Sequence, residues 1–263
     1  MKELMPPLVS IVTPSYNQAQ FIEATIQSVL AQDYPEVEYI IIDGGSTDGS
    51  VEIIRRYASR LAGWVSEPDH GQTDAINKGF AQAHGEILAW LNSDDVYLPG
   101  AITQAVGFLQ SHPEVGMVYG DATFINAEGA EIGHFPARQT DYARLRRGYV
   151  HIPQQASFFR AQLWRKVGPL DPSFYFAMDY DLWVRLSRLA PLVYVPSPWA
   201  SFRLHGAGKT IAADDRCWPE MLRVHRREGG SWLSPLMAKY LVRRLAAPLL
   251  NWRRQRMMAH GKN

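Results

Sequence analysis

Ile87-Leu88-Ala89-Trp90-Leu91-Asn92-Ser93-Asp94-Asp95 reads as five apolar residues followed at once by a polar, acidic end. An apolar run this short, bounded by turn residues, suits a strand of a parallel sheet buried on both faces. In an open α/β sheet, ligands bind in the crevice beyond the carboxyl ends of the strands. Asp94 and Asp95 therefore stand where a ligand would be held. Repulsion between adjacent carboxylates favours a cation as counter-ion, and their oxygens suit hard divalent ions such as Mg²⁺ or Mn²⁺. The same pair would also serve as a helix-capping loop, since Asp caps helices well and Pro99 soon follows.

Working outward, the upstream chain repeats one pattern. Val9 to Thr13 reads as a first strand, broken at Pro14-Ser15-Tyr16-Asn17. Asn17 and Gln20 form a capping-box pattern ahead of a helix marked by Ile22, Ile26, Val29 and Leu30. Val37 to Ile42 is a second strand that ends on Asp43, and Val51, Ile54, Tyr57 and Leu61 mark a second helix. Trp64 to Ser66 is a third strand, Asp69 to Gln72 a loop, and Ile76, Phe80 and Ala83 the buried side of a third helix. This alternation predicts a mostly parallel, Rossmann-like α/β sheet with right-handed crossovers and flanking helices. Such a sheet gathers Thr13, Asp43 and Asp94 at one rim.

Downstream, Ile102, Val106 and Leu109 mark a helix that ends before Pro113, and Val115 to Tyr119 a strand. Ala122 to Phe135 is β-rich, with a hairpin turn at Asn126-Ala127-Glu128-Gly129. Residues 136–150 read as basic and irregular. Ala156 to Phe159 is a strand, Asp179 to Leu189 a helix, and Leu192 to Val195 a last short strand.

The chain's 263 residues are enough for a sizeable core. One cysteine, Cys217, excludes an internal disulfide and a cysteine-rich metal site, which fits a reducing, cytoplasmic setting. No apolar run is long enough to span a membrane, and Met1 to Pro7 has no signal-peptide character. The net charge of +1 hides a division: residues 1–215 hold 16 Lys/Arg against 24 Asp/Glu, and residues 216–263 hold 11 against 2. In the tail Leu241, Leu245 and Leu249 share a helical face, with Arg243, Arg244, Arg253, Arg254 and Arg256 around or after them. A basic amphipathic helix over Leu236 to Leu250 points to a peripheral position on the inner face of a membrane, or to packing on the acidic body. No nucleic-acid-binding motif is present.

The first strand is followed by neither a G-x-G-x-x-G nor a Walker sequence, so a dinucleotide or P-loop site is disfavoured. A cation on Asp94 and Asp95 would manage a pyrophosphate instead, with Lys78 as helper unless it lies on a solvated helix face.

Thr13-Pro14-Ser15-Tyr16-Asn17, Asp43-Gly44-Gly45-Ser46-Thr47-Asp48-Gly49-Ser50, Asn77-Lys78-Gly79 and Asn92-Ser93-Asp94-Asp95, in that order and spacing, resemble the family-2 glycosyltransferases. These are inverting enzymes of the GT-A fold that use nucleotide-diphosphate sugars. The resemblance covers roughly residues 8–212. It implies a domain over 1–212, with a nucleotide half at about 8–120 and an acceptor half at about 121–212. Residues 213–263 would be a basic helical extension.

On this resemblance Thr13, Pro14, Tyr16 and Asp43 surround the base of a donor, most often a UDP-sugar. Asn17, Asp69, Gln72, Asn77, Lys78 and Asp94 complete the donor side. Asp95, Asp94 and His205 are implied as ligands of Mg²⁺ or Mn²⁺, with Asp95 the principal carboxylate and Asp94 turned toward the ribose. Many members carry an Arg in the loop that here reads Glu67-Pro68-Asp69-His70-Gly71-Gln72, leaving His70, Gln72 or Lys78 to meet the pyrophosphate. Asp179, in Met178-Asp179-Tyr180-Asp181, matches the catalytic base, though an N-cap also fits its place; Asp181 would cap or pair with Arg185. His151, Gln154, Gln155 and Trp183 are candidates for the acceptor side. The implied reaction is metal-dependent transfer of a sugar to a hydroxyl of a glycan or lipid-linked glycan, as in surface polysaccharide synthesis. A non-catalytic nucleotide-sugar or glycan-binding module and a sugar nucleotidyltransferase are the alternatives.

Overall fold

The computed structural model describes residues 6–206, 208–209, 214–231, 233–234, 236–238 and 240–242. The first half alternates as expected: β1 (Val9–Ser15), α1 (Ile22–Leu30), β2 (Val37–Asp43), α2 (Ser50–Arg56), β3 (Gly63–Ser66), α3 (Gln72–Gln82) and β4 (Ile87–Trp90). β1 lies parallel to both β2 and β4, and β2 is parallel to β3. The second half supplies β5 (Val96–Tyr97), α4 (Ala101–Ser111), β6 (Met117–Ile125), β7 (Glu131–His134), α5 (Tyr142–Leu145), β8 (Ser157–Arg160), α6 (Ala161–Val167), α7 (Met178–Ser187), β9 (Leu192–Arg203) and α8 (Asp214–Arg227). Among the described residues these strands form one sheet in the order β3-β2-β1-β4-β8-β6-β9-β5, with β7 beside β6.

Alternation along the strands sorts side chains onto two faces. Val12, Ile40, Leu88 and Trp90 join residues of α3, α6 and α7 in one core. Ile11, Ile41, Ala89 and Leu91 join residues of α1 and α4 in the other. α3 presses hard on the sheet: a Cβ on Gly79 would lie 2.4 Å from Val12 Cγ1. The order 3-2-1-4 reverses between β1 and β4, which opens a crevice at their carboxyl ends.

Several expectations are corrected. β9 runs twelve residues rather than four, through Pro196 and Pro198. Prolines argue against a strand because they remove a ladder donor. Here the β6–β9 register shifts around Asp121, opposite Pro198, and the pairing resumes beyond it. β6 continues through Ile125 into the hairpin with β7 instead of stopping at Tyr119. Residues 136–150 hold a short helix, α5, whose first turn is capped by Asp141. Asn17 and Gln20 form no capping box, because α1 starts at Ile22 with no side-chain cap. Asn17 instead takes a left-handed conformation (φ 51°). Its Oδ1 accepts from Thr47 N–H at 2.9 Å and its own N–H donates to Ser46 Oγ at 2.8 Å.

The start of the tail belongs to the body. Val224 of α8 is fully buried in the same core as Tyr180 and Trp183. Asp181, buried on α7, pairs with Arg185 at 2.8 Å and with Arg227 of α8 at 2.5 Å. Residues 236–238 and 240–242 are helical, with Leu236 and Met237 packed near Leu222. Leu245, Leu249 and Arg243, Arg244, Arg253, Arg254 and Arg256 lie outside the described residues. Among the described residues no helix is long and apolar enough to cross a membrane.

Candidate active site

A cleft of about 740 Å³ opens at the carboxyl ends of β1 and β4. Its walls bring together residues from both halves: Pro14 and Tyr16, Asp69 and Gln72, Asp94, Gln154 and Gln155, Asp179, and His205 with Lys209. Tyr16 is 63% exposed and presents an open aromatic surface at one end.

Asp43 does not reach the wall. It is fully buried, and its carboxylate accepts from the hydroxyls of Ser15, Ser46 and Ser66 and from the N–H groups of Gly45 and Ser46. It organises the turn that shapes the rim. Thr13 is buried as well, its hydroxyl 3.0 Å from the Tyr39 hydroxyl. Asn17 sits beside the rim, fastened to Ser46 and Thr47.

The acidic motif divides opposite to expectation. After β4 the chain turns back, with Asp95 N–H donating to Asn92 O at 3.1 Å. That turn sends the two carboxylates different ways. Asp95 points inward, fully buried; its Oδ1 accepts from Arg203 N–H at 2.9 Å and its Oδ2 from Asn92 Nδ2 at 3.3 Å. Burial and the neighbouring Asp94 charge hold the Asp95 carboxyl well above the usual carboxylate range. Asp94 faces the cleft, its Oδ2 3.0 Å from His205 Nε2. The His205 ring packs on Phe21, with centroids 4.5 Å apart. Arg203 ties the motif to the hairpin: its Nε donates to Asp94 O, and its Nη1 to Asn126 O and Ala127 O.

Asp179 lines the cleft from the first turn of α7. Burial pushes its carboxyl up to about 6, against the opposing charge of Lys209 and with a smaller push from Glu220. Its Oδ1 accepts from Tyr180 N–H at 2.6 Å, which leaves Oδ2 to act as an acceptor. It does not cap α7, whose N-cap residue is Ala177. Lys209 went unread in the sequence. Its Nζ donates to Gln72 Oε1 at 2.9 Å and lies 3.9 Å from the centre of the Tyr175 ring. Burial lowers its ammonium to about 8. The signal available was a lysine four residues beyond His205, directly after Gly208, in a chain lacking the expected loop Arg.

The remaining candidates scatter. Lys78 pairs with Glu67 and Asp74 on the outer side of α3, away from the cleft wall. Asn77 bridges to the backbone of Leu170 in both directions. Trp183 is fully buried and stacks on Trp90 at 5.6 Å, so it packs the core and offers no acceptor surface. His151 stays off the wall, and its carbonyl accepts from Arg138 N–H. Gln154 is on the wall: its Nε2 donates to Trp90 O at 2.7 Å and its Oε1 accepts from Asn92 Nδ2 at 3.3 Å. Gln155 lines the cleft while 5% exposed.

Asp94 and His205 are the residues here that could hold a divalent cation. Asp94 Oδ2 and His205 Nε2 lie 3.0 Å apart, and among the described residues no group of three or more His, Cys, Asp or Glu that could hold a metal ion is present. Mg²⁺ is commonly held by one or two protein groups, with waters and substrate phosphates completing its shell.

The family described as Glycosyl transferase family 2 matches residues 10–183. A Mycobacterium tuberculosis protein named as an uncharacterized glycosyltransferase is 33% identical over 207 residues, 77% of this chain and 77% of its own length. A similarly named Nostoc protein is 27% identical, covering 78% of this chain and 67% of that one. Among solved structures, S. aureus TarS 1-349 in complex with UDP superposes with a TM-score of 0.67 at 17% identity, covering 91% of this chain and 72% of that chain. The mannosyltransferase PcManGT from Pyrobaculum calidifontis, in complex with GDP-Man and Mn2+, gives 0.65 at 22% identity, covering 89% and 69%. At such identities the structures share the fold.

Proposed function

The chain belongs to glycosyl transferase family 2, and we propose that it transfers a sugar with inversion from a nucleotide-diphosphate donor to a hydroxyl of a glycan or lipid-linked glycan. The observation that carries this reading is one cleft with Asp94 and His205 on one wall and Asp179 on another. Pro14 and Tyr16 offer the surface for the base. A UDP-sugar is the favoured donor.

Asp94 and His205 would hold a divalent cation, Mg²⁺ or Mn²⁺, which when bound supplies positive charge to the departing diphosphate. The acceptor hydroxyl oxygen forms the new bond at the anomeric carbon as the bond to the diphosphate oxygen breaks. Asp179 Oδ2 takes the hydroxyl proton. Its raised affinity for a proton suits a base that works near neutral pH. Gln72 and Gln154 brace Asn92 and so the turn carrying the acidic pair.

Thermal-shift measurements with UDP- and GDP-sugars, with and without Mn²⁺, test the donor, because a ligand of the folded state raises apparent stability by mass action. Asp179→Asn should keep the shift and lose transfer. Parent-rate transfer by that variant would remove Asp179 from its role. The tail's excess of positive charge supports a peripheral site on anionic lipid. Deletion of residues 243–263 should then free the protein from sedimenting phosphatidylserine vesicles, and unchanged sedimentation would refute that placement.

A further inference from the structure

α7 begins without a cap of its own. Its N-cap residue, Ala177, has no side chain that can accept a hydrogen bond. The N–H groups at a helix start lack intrahelical partners and carry partial positive charge. Here a carboxylate from far along the chain meets the segment leading into the helix. Glu220 Oε1 accepts from Tyr175 N–H at 2.9 Å, and its Oε2 accepts from Phe176 N–H at 2.7 Å and from Ala177 N–H at 2.9 Å. Two residues beyond Ala177 stands Asp179.

Glu220 belongs to α8, which lies past the residues 10–183 that the family shares. The grip of α8 does not rest on Glu220 alone. Arg223 Nη2 donates to Ser173 O at 3.0 Å, and its guanidinium lies 3.7 Å from the centre of the Phe174 ring. Arg227 pairs with Asp181 at 2.5 Å. The three side chains thus hold α7 and its approach on both sides of Asp179. The same approach carries Tyr175, whose ring receives Lys209.

We infer that Glu220 is a positioning residue for the reaction: α8 clamps the start of α7 and thereby fixes the place of Asp179 in the cleft. The inference rests on reading Asp179 as the base. A charge-assisted clamp of three N–H groups is stronger than a neutral one. The Glu220 charge also opposes ionisation of Asp179, whereas Lys209 favours it. A purely structural clamp would act on stability and leave the titration of Asp179 untouched.

The test compares the full-length parent with Glu220→Ala, Glu220→Gln and Asp179→Asn. Three readouts are used: amide hydrogen exchange at residues 175–177, kcat and KM for hydrolysis of UDP-GlcNAc with Mn²⁺, and the acid limb of the rate–pH profile. Where that donor gives no turnover, GDP-mannose replaces it. Where neither turns over, the Asp179 midpoint is read by carboxyl-carbon NMR. Glu220→Ala should speed exchange at 175–177 by roughly tenfold or more, as expected for loss of charged hydrogen bonds. It should lower kcat by roughly tenfold to a hundredfold with donor KM little changed, as misplacement of a reacting group does. Glu220→Gln keeps an acceptor and should recover much of the protection and kcat, with the acid limb or NMR midpoint moved to lower pH. Unchanged exchange at 175–177 in Glu220→Ala overturns the clamp. Loosened exchange with parent kcat and an unmoved midpoint overturns the positioning role. If Glu220→Ala does not fold, Glu220→Gln carries the test through its shifted limb or midpoint. If Asp179→Asn turns over donor like the parent, the base assignment falls and the positioning role with it. The exchange data would still report the clamp, so the two failures are distinguishable.

Discussion

Replacing Asp179 by Asn should make the protein more stable at neutral pH, by an amount that depends on pH in a defined way. Burial raises the Asp179 carboxyl to about 6 in the folded chain. An unfolded Asp releases its proton near 3.9. Between those values the folded state holds a proton that the unfolded state has given up, so stability falls as pH rises through the window. Asn cannot ionise and shows no such fall. At about pH 5 the folded carboxyl is mostly protonated and the unfolded one mostly ionised; near pH 7 both are ionised. The stability advantage of Asp179→Asn over the parent should therefore grow by about 1.3 kcal/mol from pH 5 to pH 7. Urea titrations of both proteins at the two pH values measure it. Every other titrating group is shared, and Lys209 stays largely protonated below about 8. A gap that does not change between pH 5 and pH 7 would mean that Asp179 ionises like an exposed carboxylate, and the argument for a base tuned by burial would fail.

Three further outcomes follow from the geometry. Asp94→Asn and His205→Ala should raise the Mn²⁺ needed for half-maximal donor turnover by roughly tenfold or more, whereas Asp95→Ala should cost about 2 kcal/mol of stability by freeing Arg203 N–H and Asn92; Mn²⁺ titrations and denaturation curves showing the reverse would restore Asp95 as principal ligand. Asp181→Ala leaves Arg185 and Arg227 without their buried partner and should destabilise by about 3 kcal/mol in urea unfolding, and a loss indistinguishable from zero would show the pair to be idle. Gly79→Ala forces a methyl group into Val12 and should cost about 1–3 kcal/mol, visible as a lower Tm; an unchanged Tm would mean that α3 can lift from β1 freely.

The apolar run ending at Asp94 and Asp95 carried much of the fold, because a short buried strand with an acidic end specifies a parallel sheet and its rim together. The direction of each carboxylate could not be read the same way. Side chains alternate along a strand, but Asp94 and Asp95 follow a tight turn, where no period holds. Asp43 shows the converse. The stretch Gly44 to Ser50 that marked it as a binding residue also supplies three of the five donors that surround its carboxylate. Trp183 looked available because it is aromatic and near Asp179 in sequence, yet one turn deeper along α7 it is fully buried in the core against Trp90. The length of β9 was hidden by two prolines, which a register shift accommodates. Glu220 left no pattern, and Lys209 only its place four residues beyond His205, since each acts on residues brought near only by the fold.

The hydrogen bond from Arg203 to Asp95 joins residues 108 positions apart. Contacts of such sequence separation are slow to form, because a long loop must close before they reward it. As the chain leaves the ribosome, β1 to β4 can pair early, and the acidic turn waits for β9. A truncated or half-made chain would carry an open Rossmann-like sheet with Asp95 unanswered and His205 absent. On the proposed function, competence to bind metal and donor would be a late event in the protein's biogenesis, and donor binding would report that the chain has been synthesised and folded past Arg203.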